Sequence, residues 1–458
     1  MDVYLNSLGC RTIVHERHYI DRHYIEDFAL FYARSLRNYP NFCQRLHFFS
    51  SEFDEEQWSG LVERVNMGDR SAIEQQLAKQ YLGFMVVKPL PGSPIGRTVL
   101  KTFGPDAADG RRRRFGATRS YHVNLAGLSL SVQGLAFQQQ DRGVSACATT
   151  ALWSALQCAA PLEHFASPTP AAITEAACRY MIPDGRALPS EGLNVEQLCE
   201  ATRTSGLAPV LLRSMSPLED KGHLATYLQS GFPVVLGIVP FGEGEAHAVC
   251  GVGLRLGEVM PRTDPNVNYA DGSSAVQGLY VHDDRLGPYA FAWLKGTTVN
   301  GRVTTSLELQ WPDDRPAEEW RLFAMLIPVP LKLRLSAGRL RALAHEIAEA
   351  VAVSIPVAED LEVHTRFSRG VAYRASAFGF GLSSYGFHAL TNEIVLSRYV
   401  GVIELVARDG PVADVILDAT ETSLNPAVLA IVRREGVSRA QGAPLLLLAK
   451  LLGTAAIS

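Results

Sequence analysis

The sequence predicts an α+β fold in three modules: an N-terminal α+β module at residues 1–105, a central α+β domain at 106–330 and a C-terminal α/β module at 331–458. A chain of 458 residues exceeds the size at which one hydrophobic core usually keeps growing, so several domains are expected. Hydrophobic residues make up 47% and charged residues 20%, as in ordinary folded proteins. In some segments the apolar residues recur every three or four positions, as in helices, and in others apolar and polar residues alternate, as in strands.

The N-terminal module is predicted to contain three helices followed by two strands. Asp21 is an N-cap residue type, and an apolar stripe with helical spacing runs from Ile25 to Leu36, which predicts an amphipathic helix. Two shorter helices are predicted at DEEQWSGLVERVNMG and SAIEQQLAKQYLG. The segments YLGFMVVKPL and GRTVLKTFG predict two strands around the turn PGSPIG, because Pro and Gly punctuate them.

Three histidines, His15, His18 and His23, lie close together in VHERHYIDRHYIED. The last two are five positions apart, which is off the i,i+4 face that helical zinc motifs use. We therefore expect a polar, solvated helix start here and no metal site.

Four consecutive arginines, Arg111 to Arg114, stand among Gly, Asp and Ala residues and predict a solvated loop. Neither stacking aromatic residues nor a helical repeat accompanies them in the sequence, and the formal net charge of −4 provides no general attraction to polyanions. We expect neither nucleic acid nor a membrane as a partner.

In the central domain, the predicted helices come first along the chain and most of the predicted strands follow them. Two strands in SYHVNLAGLSLSVQGLAF precede an Ala-rich helical run that starts near Cys147. Further helices are predicted at TPAAITEAACRYM, at NVEQLCEATRTSG with the N-cap Asn194, and at LEDKGHLATYLQSG. The predicted strands are APVLLR, FPVVLGIVP, AHAVCGVGL, GLYVHDD and WRLFAMLIPVP.

The C-terminal module is predicted as α/β from the helix SAGRLRALAHEIAEAVAVS and the strands RYVGVIELV and VADVILDAT. The apolar segment GAPLLLLAKLLGTAAIS is 17 residues long and carries Lys450, so it falls short of a membrane span. We expect it to form a terminal helix packed on the core.

The seven cysteines are scattered, odd in number and without a CxxC pair, which argues against a disulfide framework or a zinc site. The N-terminal segment lacks the basic and apolar regions of a signal peptide. Both observations favour a cytoplasmic location.

Cys147 differs from the other cysteines in its surroundings. It lies between the Gln-rich stretch FQQQDRGVSA and the run ATTALWSALQCAA, which contains no Gly or Pro and predicts a helix. A helix N-terminus or a nearby imidazolium lowers the pKa of a thiol from about 8.5 and makes the nucleophilic thiolate accessible. Cys147 is therefore a candidate nucleophile, whereas Cys158 and Cys250 are predicted to be buried packing residues.

His247 is the candidate base. It follows the loop FGEGEA and begins the small, β-branched run AHAVCGVGL, where a strand leaves a loop and a side chain can face a cleft. A carboxylate is needed to hold the imidazole in one tautomer. Asp283 and Asp284 end the next predicted strand, and adjacent strands commonly pair.

The order Cys, His, Asp with an upstream Gln resembles the papain-like cysteine peptidase superfamily, and in particular the bacterial double-glycine-leader and bacteriocin-processing peptidases. The resemblance rests on ACATTALWSAL, GEAHAVCGVGL and VHDDRLGPY and covers about residues 118 to 330. It implies that Cys147 is the nucleophile, His247 the general base, Asp283 the orienting residue and Gln140 the oxyanion donor. Such families usually place the Gln six positions before the Cys, whereas Gln140 stands seven before it. Asp284 and Gln139 remain alternatives.

The predicted activity is that of a cysteine peptidase or isopeptidase acting on a protein or peptide substrate through a thioester, without a cofactor or metal. Two alternatives remain open. The same triad occurs in amine acyltransferases of the transglutaminase and arylamine acetyltransferase type, and the domain could instead be an inactive binding module. The flanking modules are possible binding sites for protein partners, and the insertion RTDPNVNYADGSSAVQG before the acidic strand is a possible specificity loop or lid.

Overall fold

The computed structural model has a mixed α+β fold, as the sequence predicts. It describes residues 1–106, 110–141, 143–144, 146–179, 192–260, 269–311, 315–354, 361–380, 382, 384–407, 410–423, 426–434 and 456–457.

An antiparallel four-stranded sheet of order β1-β2-β3-β4 organises the N-terminal region. The elements here are α1 (Asp2–Ser7), β1 (Thr12–Tyr19), α2 (Arg22–Leu30), β2 (Cys43–Phe49), α3 (Glu55–Arg64), α4 (Arg70–Gln80), β3 (Tyr81–Val87) and β4 (Ile95–Leu100). The two shorter helices and the two strands predicted in this region are confirmed.

Asp21 caps helix α2, as predicted, because its carboxylate accepts hydrogen bonds from the backbone N–H groups of His23 and Tyr24. The predicted continuation to Leu36 is wrong. The helix ends at Leu30, where Phe31 leaves helical geometry (φ −127°, ψ −55°), and Leu36 is fully exposed. Apolar spacing alone therefore predicted a helix that is too long, because Leu36, the last apolar residue of the predicted stripe, is exposed and does not pack on the core.

The prediction of a solvated helix start at the histidines is also wrong. His15 and His18 lie on strand β1, whereas His23 is buried in α2 and its Nδ1 accepts a hydrogen bond from Nε1 of Trp153 at 3.1 Å. Burial, the largest influence, lowers the pKa of His23 to about 4, so this histidine is neutral and structural. It joins the N-terminal region to the core of the central domain.

The central region forms an antiparallel barrel with helices packed against it. Its helices are α5 (Cys147–Leu162), α6 (Pro170–Ala177), α7 (Val195–Thr204) and α8 (Pro217–Gln229). Its strands are β5 (Arg112–Arg114), β6 (Arg119–Leu125), β7 (Leu128–Gly134), β8 (Leu207–Arg213), β9 (Val234–Pro240), β10 (His247–Leu256), β11 (Ala270–Asp271), β12 (Val276–Asp283), β13 (Gly287–Val299), β14 (Arg302–Leu309) and β15 (Glu318–Pro330). The path β12-β13-β14-β15-β9-β10 closes on itself because β10 also pairs with β12.

Helix α5 packs on this barrel. Leu152, Trp153 and Leu156 have no exposed surface and share one core with Cys250 and Val252 of β10. Burying such large side chains is worth about 1.5–3 kcal/mol each. This packing holds the N-terminus of α5 in place against the barrel.

The arginine run is not the predicted solvated loop. Residues Arg112–Arg114 form the short strand β5, which pairs antiparallel with Leu254–Leu256 of β10. Nε of Arg113 donates a hydrogen bond to the Tyr280 hydroxyl at 2.9 Å. Partners distant in the sequence convert this charged run into an edge strand, a position where charged side chains are common.

The C-terminal region is built around a six-stranded sheet, whose central strands are antiparallel and whose two edge pairings are parallel. Its elements are α9 (Ala337–Ser354), β16 (Glu362–Arg369), α10 (Gly370–Ser376), α11 (Ser384–His388), β17 (Tyr399–Ala407), β18 (Gly410–Asp418), β19 (Val428–Arg433) and β20 (Ala456–Ile457). Strands β16 to β19 pair antiparallel in sequence order. The predicted α/β arrangement is therefore wrong for this region, and the sheet is of the α+β type.

The predicted C-terminal helix falls largely outside the described residues, and its described part, Ala456–Ile457, is a strand that pairs with β19.

The described part of the insertion before β12 packs against the C-terminal region. Asp271 forms a salt bridge with Arg341 of α9 at 2.8 Å, and β11 pairs with β16. Residues 262–268 of that insertion lie outside the described residues. Among the described helices, none is long and apolar enough to cross a membrane.

Candidate active site

Cys147 is the first residue of helix α5 and is half-buried. The N-cap residue Ala146 makes no side-chain hydrogen bond to this helix terminus, so Ala146 leaves the backbone N–H groups of the first turn to other partners. The positive end of the helix dipole lies at the same point and favours a negative charge on the sulfur.

Asp141 shapes the loop that leads to Cys147. Its carboxylate accepts hydrogen bonds from the backbone N–H groups of Gly143 at 2.9 Å and Val144 at 2.7 Å. The same carboxylate forms a buried ion pair with Nζ of Lys88 at 3.5 Å. The position six residues before the cysteine therefore holds a structural carboxylate, which ties the nucleophile loop to the N-terminal sheet.

His247 is the first residue of strand β10 and is 9% exposed. Its ring interacts with the Cys147 side chain through a hydrogen bond that raises the imidazole pKa. Strand β15 contributes Trp320, whose ring centroid lies 6.0 Å from that of the imidazole. The start of α5 and the start of β10 thus meet at one point.

Asp283 is the last residue of β12 and has no exposed surface. The antiparallel register places Cys250 of β10 opposite His282 of β12, which brings the start of β10 beside the end of β12. As a result, Oδ1 of Asp283 lies 3.3 Å from Nε2 of His247. This contact uses Nε2 and leaves Nδ1 as the ring nitrogen that Asp283 does not bind.

Arg285 supports Asp283 through both carboxylate oxygens. Its Nη2 donates to Oδ2 of Asp283 at 3.1 Å, and its backbone N–H donates to Oδ1 at 2.8 Å. The guanidinium lies 5.0 Å from the ring centroid of Trp320 and pairs with Glu318 at 3.2 Å. Sequence reasoning missed Arg285, Trp320 and Glu318, because only the pairing of the barrel strands brings them together.

Asp284 places a second carboxylate at the imidazole. Its Oδ1 lies 3.4 Å from Nε2 of His247, and its buried Oδ2 has no hydrogen-bond partner. Burial, together with the charge of Asp283, outweighs the opposing effect of His247 and raises the pKa of Asp284 to about 6. The ionised form of Asp284 is therefore less stable, relative to its protonated form, than the ionised form of Asp283.

The two carboxylates and the thiol determine the ionisation of His247. Burial alone would lower its pKa, but the hydrogen bonds with Asp283 and Cys147 and the two carboxylate charges raise that pKa to about 9. Burial would likewise raise the pKa of Asp283, but His247 and Arg285 lower it to about 2. At neutral pH, the imidazole is therefore protonated and Asp283 is ionised.

His247, Asp283 and Asp284 are also the only group within the described part of the chain whose ligand atoms lie close enough together to hold a metal ion. His282, between them in sequence, points elsewhere. Its ring packs edge-on against Phe137 and Tyr289, and burial lowers its pKa to about 3, so it stays neutral within the core.

A cleft of about 880 Å³ opens at Cys147 and His247. Its walls are mainly apolar and come from α7 and from strands β8, β9 and β15. The lining includes Leu198, Leu211, Val235, Phe323 and Leu326. Gly237 allows Phe323 to lie flat against the sheet, since a Cβ atom at Gly237 would come within 2.6 Å of the Phe323 ring.

The three adjacent glutamines have different environments. Gln140 is exposed, and none of the three glutamines lines the cleft, whereas an oxyanion donor must face the reacting carbonyl. Gln138 is 2% exposed and its Nε2 has no hydrogen-bond partner, while the unpartnered atom of Gln139 is the acceptor Oε1. The sequence did not indicate which of these side chains is buried.

All seven cysteines are free thiols. Cys158 and Cys250 are buried, as predicted, and burial raises the pKa of Cys158 to about 12. Cys147 is the cysteine whose side chain interacts with His247. The predicted nucleophile, base and orienting carboxylate thus lie together, while the predicted donor Gln140 lies apart from the cleft.

The chain matches no protein-family model, and no curated protein matches it at a significant level.

Proposed function

We propose that this chain is a cysteine-dependent peptidase or isopeptidase whose central domain is papain-like. The observation that carries the proposal is the contact chain from Cys147, at the N-terminus of α5, through His247 to Asp283, at the mouth of an apolar cleft. A nucleophile, a base and an orienting carboxylate in hydrogen-bond contact are the geometry of acyl-transfer catalysis.

The reaction begins from an ion pair between the Cys147 thiolate and the His247 imidazolium. The pKa of about 9 for His247 keeps its proton in place at neutral pH, and the N-terminus of α5 stabilises the sulfur anion. Asp283 holds the ring through Nε2, so the proposal assigns Nδ1 to the sulfur. The thiolate attacks the carbonyl carbon of a peptide or isopeptide bond, and the carbonyl oxygen becomes an oxyanion.

Collapse of this tetrahedral intermediate breaks the C–N bond. The proton leaves Nδ1 of His247 for the departing amine, and the acyl group stays on Cys147 as a thioester. Neutral His247 then removes a proton from water, whose oxygen attacks the thioester. The products are a carboxylic acid and the regenerated thiolate with its imidazolium.

The first turn of α5 stabilises the oxyanion in this proposal, beginning with the backbone N–H of Cys147, because the N-cap residue Ala146 makes no side-chain hydrogen bond to that turn. Gln140, which is exposed and outside the cleft, is not used as a donor.

Substrate selection follows from the cleft. Apolar side chains such as Leu198, Val235 and Leu326 favour an apolar substrate residue next to the scissile bond. Two exposed glutamates, Glu196 and Glu245, also line the cleft, whose described lining residues include no Lys or Arg. A peptide that combines an apolar residue with a basic one suits these walls.

The test compares thiol reactivity and hydrolysis. We expect iodoacetamide at pH 6 to label Cys147 at least tenfold faster than the half-buried Cys10 and Cys178, because only an activated thiolate reacts quickly there. Cys147→Ala should abolish hydrolysis of a fluorogenic peptide library without lowering the thermal midpoint, and Cys178→Ala is the matched control. Equal labelling of the three thiols, or activity retained in Cys147→Ala, would disprove the proposal. Added amine acceptors distinguish hydrolysis from acyl transfer by the product formed.

A further inference from the structure

A second cavity, of about 270 Å³, lies between helix α1 and strands β12 and β13. It shares no lining residue with the cleft at Cys147. We name it the aromatic pocket because five aromatic side chains form its walls, namely Tyr4, Phe103, Tyr280, Tyr289 and Phe291. The catalytic proposal above makes no use of it.

The aromatic rings are held rigidly against one another. Tyr4 contacts Phe103 edge-on with ring centroids 4.7 Å apart and stacks on Tyr289 at 5.3 Å. The hydroxyl of Tyr4 donates to the backbone carbonyl of Lys101 at 2.5 Å, and that of Tyr289 donates to Leu100 at 3.1 Å. Because these hydroxyls are already bonded to protein groups, the rings offer the pocket mainly their apolar faces and edges.

Two guanidinium groups also line the pocket. Arg113, on β5, lies 4.8 Å from the ring centroid of Phe103, and Arg255, on β10, lies 4.9 Å from that of Phe291. Arg113 uses Nε for the Tyr280 hydroxyl and Nη1 for the carbonyl of Asp106. A guanidinium has five N–H donors, so Arg113 has further donors to offer a ligand.

The described lining residues of the pocket include two arginines and neither aspartate nor glutamate. A planar ring can stack on the aromatic walls, and an anionic group attached to that ring can pair with the arginines in a bidentate manner. The volume of about 270 Å³ is slightly below the usual range of about 300–1,000 Å³ for small-molecule sites, which restricts the ligand to one small aromatic unit.

We propose that the aromatic pocket binds a small planar aromatic anion, with its ring between Tyr4 and Phe291 and its anionic group on Arg113 and Arg255. Two sources supply this chemistry, namely a mononucleotide phosphate and an aryl carboxylate. The site is independent of the proposed peptidase activity, because none of its residues belongs to the triad.

Isothermal titration calorimetry on the full chain carrying Cys147→Ala tests the site without any contribution from turnover. The probes are AMP, UMP and indole-3-carboxylate, with adenosine, uridine and indole as neutral counterparts. We expect one anionic class to bind at least tenfold more tightly than its neutral counterpart, since charge-assisted hydrogen bonds supply the difference. The class that binds identifies the source.

Arg113→Gln is expected to weaken the binding about tenfold, and Arg113→Lys less, because lysine keeps the charge but loses the planar fork. Arg112→Gln is the matched control, since Arg112 lies on the same strand, is exposed and does not line the pocket. Thermal unfolding of each variant verifies the fold.

Ala290→Trp, which fills the pocket from β13, should abolish binding. The proposal is overturned if no probe binds up to millimolar concentration, if the neutral probes bind equally well, or if a folded Arg113→Gln protein binds like the parent chain.

Discussion

Nε2 of His247 lies 3.3 Å from Oδ1 of Asp283, although 36 positions separate the two residues in the chain. The antiparallel pairing of β10 with β12 produces this contact. Arg285, held by Trp320 and Glu318, keeps the carboxylate in place. The imidazole is therefore oriented by a network that spans three barrel strands and the turn after β12.

The two aspartates at His247 are expected to differ in their effect on catalysis. Asp283→Ala should lower kcat about a hundredfold, because the hydrogen-bonded carboxylate that orients the ring is lost. Asp283→Asn keeps an acceptor and should lose less. Asp284→Ala should change kcat at pH 7 less than tenfold, because Asp284 contributes charge without the hydrogen bond. Steady-state kinetics with thermal unfolding controls measure this, and an equal loss in the two alanine variants would contradict it.

The pH dependence follows from the raised pKa of His247. Hydrolysis needs the imidazolium to protonate the leaving amine, so kcat/KM should fall as the pH rises past about 9. The folded state also binds this proton more tightly than the unfolded chain, whose histidine pKa is about 6.5. The resulting stabilisation is fully present below about pH 6.5 and is lost as the pH rises through about 9.

This linkage can be measured by urea unfolding of the native chain and of His247→Gln. The difference in the free energy of unfolding between the two proteins should be larger at pH 6 than at pH 10. A difference that stays constant over this range would contradict the raised pKa. In Asp284→Ala, the upper limb of the kcat/KM profile should move to lower pH, since a carboxylate charge that raises the His247 pKa is gone.

The exposed Gln140 is expected not to act on the oxyanion. Gln140→Ala should leave kcat within twofold of the native enzyme, because Gln140 is exposed and does not line the cleft. Steady-state kinetics measure this. A loss of about a hundredfold in kcat, as removal of an oxyanion donor produces, would return the donor role to Gln140.

The acidic rim of the cleft is expected to select basic peptides. Replacing both Glu196 and Glu245 by Gln should lower kcat/KM about fivefold for a peptide with Arg beside its apolar residue, because exposed charges contribute modestly. A peptide with Gln at the same place should be unaffected, and the difference should shrink at high salt. Glu219→Gln, an exposed substitution outside the cleft, is the control. An equal effect on both peptides would argue against charge selection.

Much of the secondary structure could be predicted because its signals are local. The caps at Asp21 and Asn194 start helices α2 and α7, and the helical run after Cys147 is α5. The errors occur where distant partners decide the structure. The arginine run becomes strand β5 because β10 offers an unpaired edge, and Leu36 is exposed because no element packs on it.

The sequence by itself determined the residue types of the candidate site and the segments that carry them: a thiol at a helix start, an imidazole at a strand start and two carboxylates at a strand end. Only the tertiary structure decided how they meet, which glutamine is buried, and that Arg285 and Trp320 support the site. The physical reason is the sequence separation of the residues that interact. Helix capping and apolar periodicity depend on residues a few positions apart, whereas strand register and burial arise from contacts between distant segments.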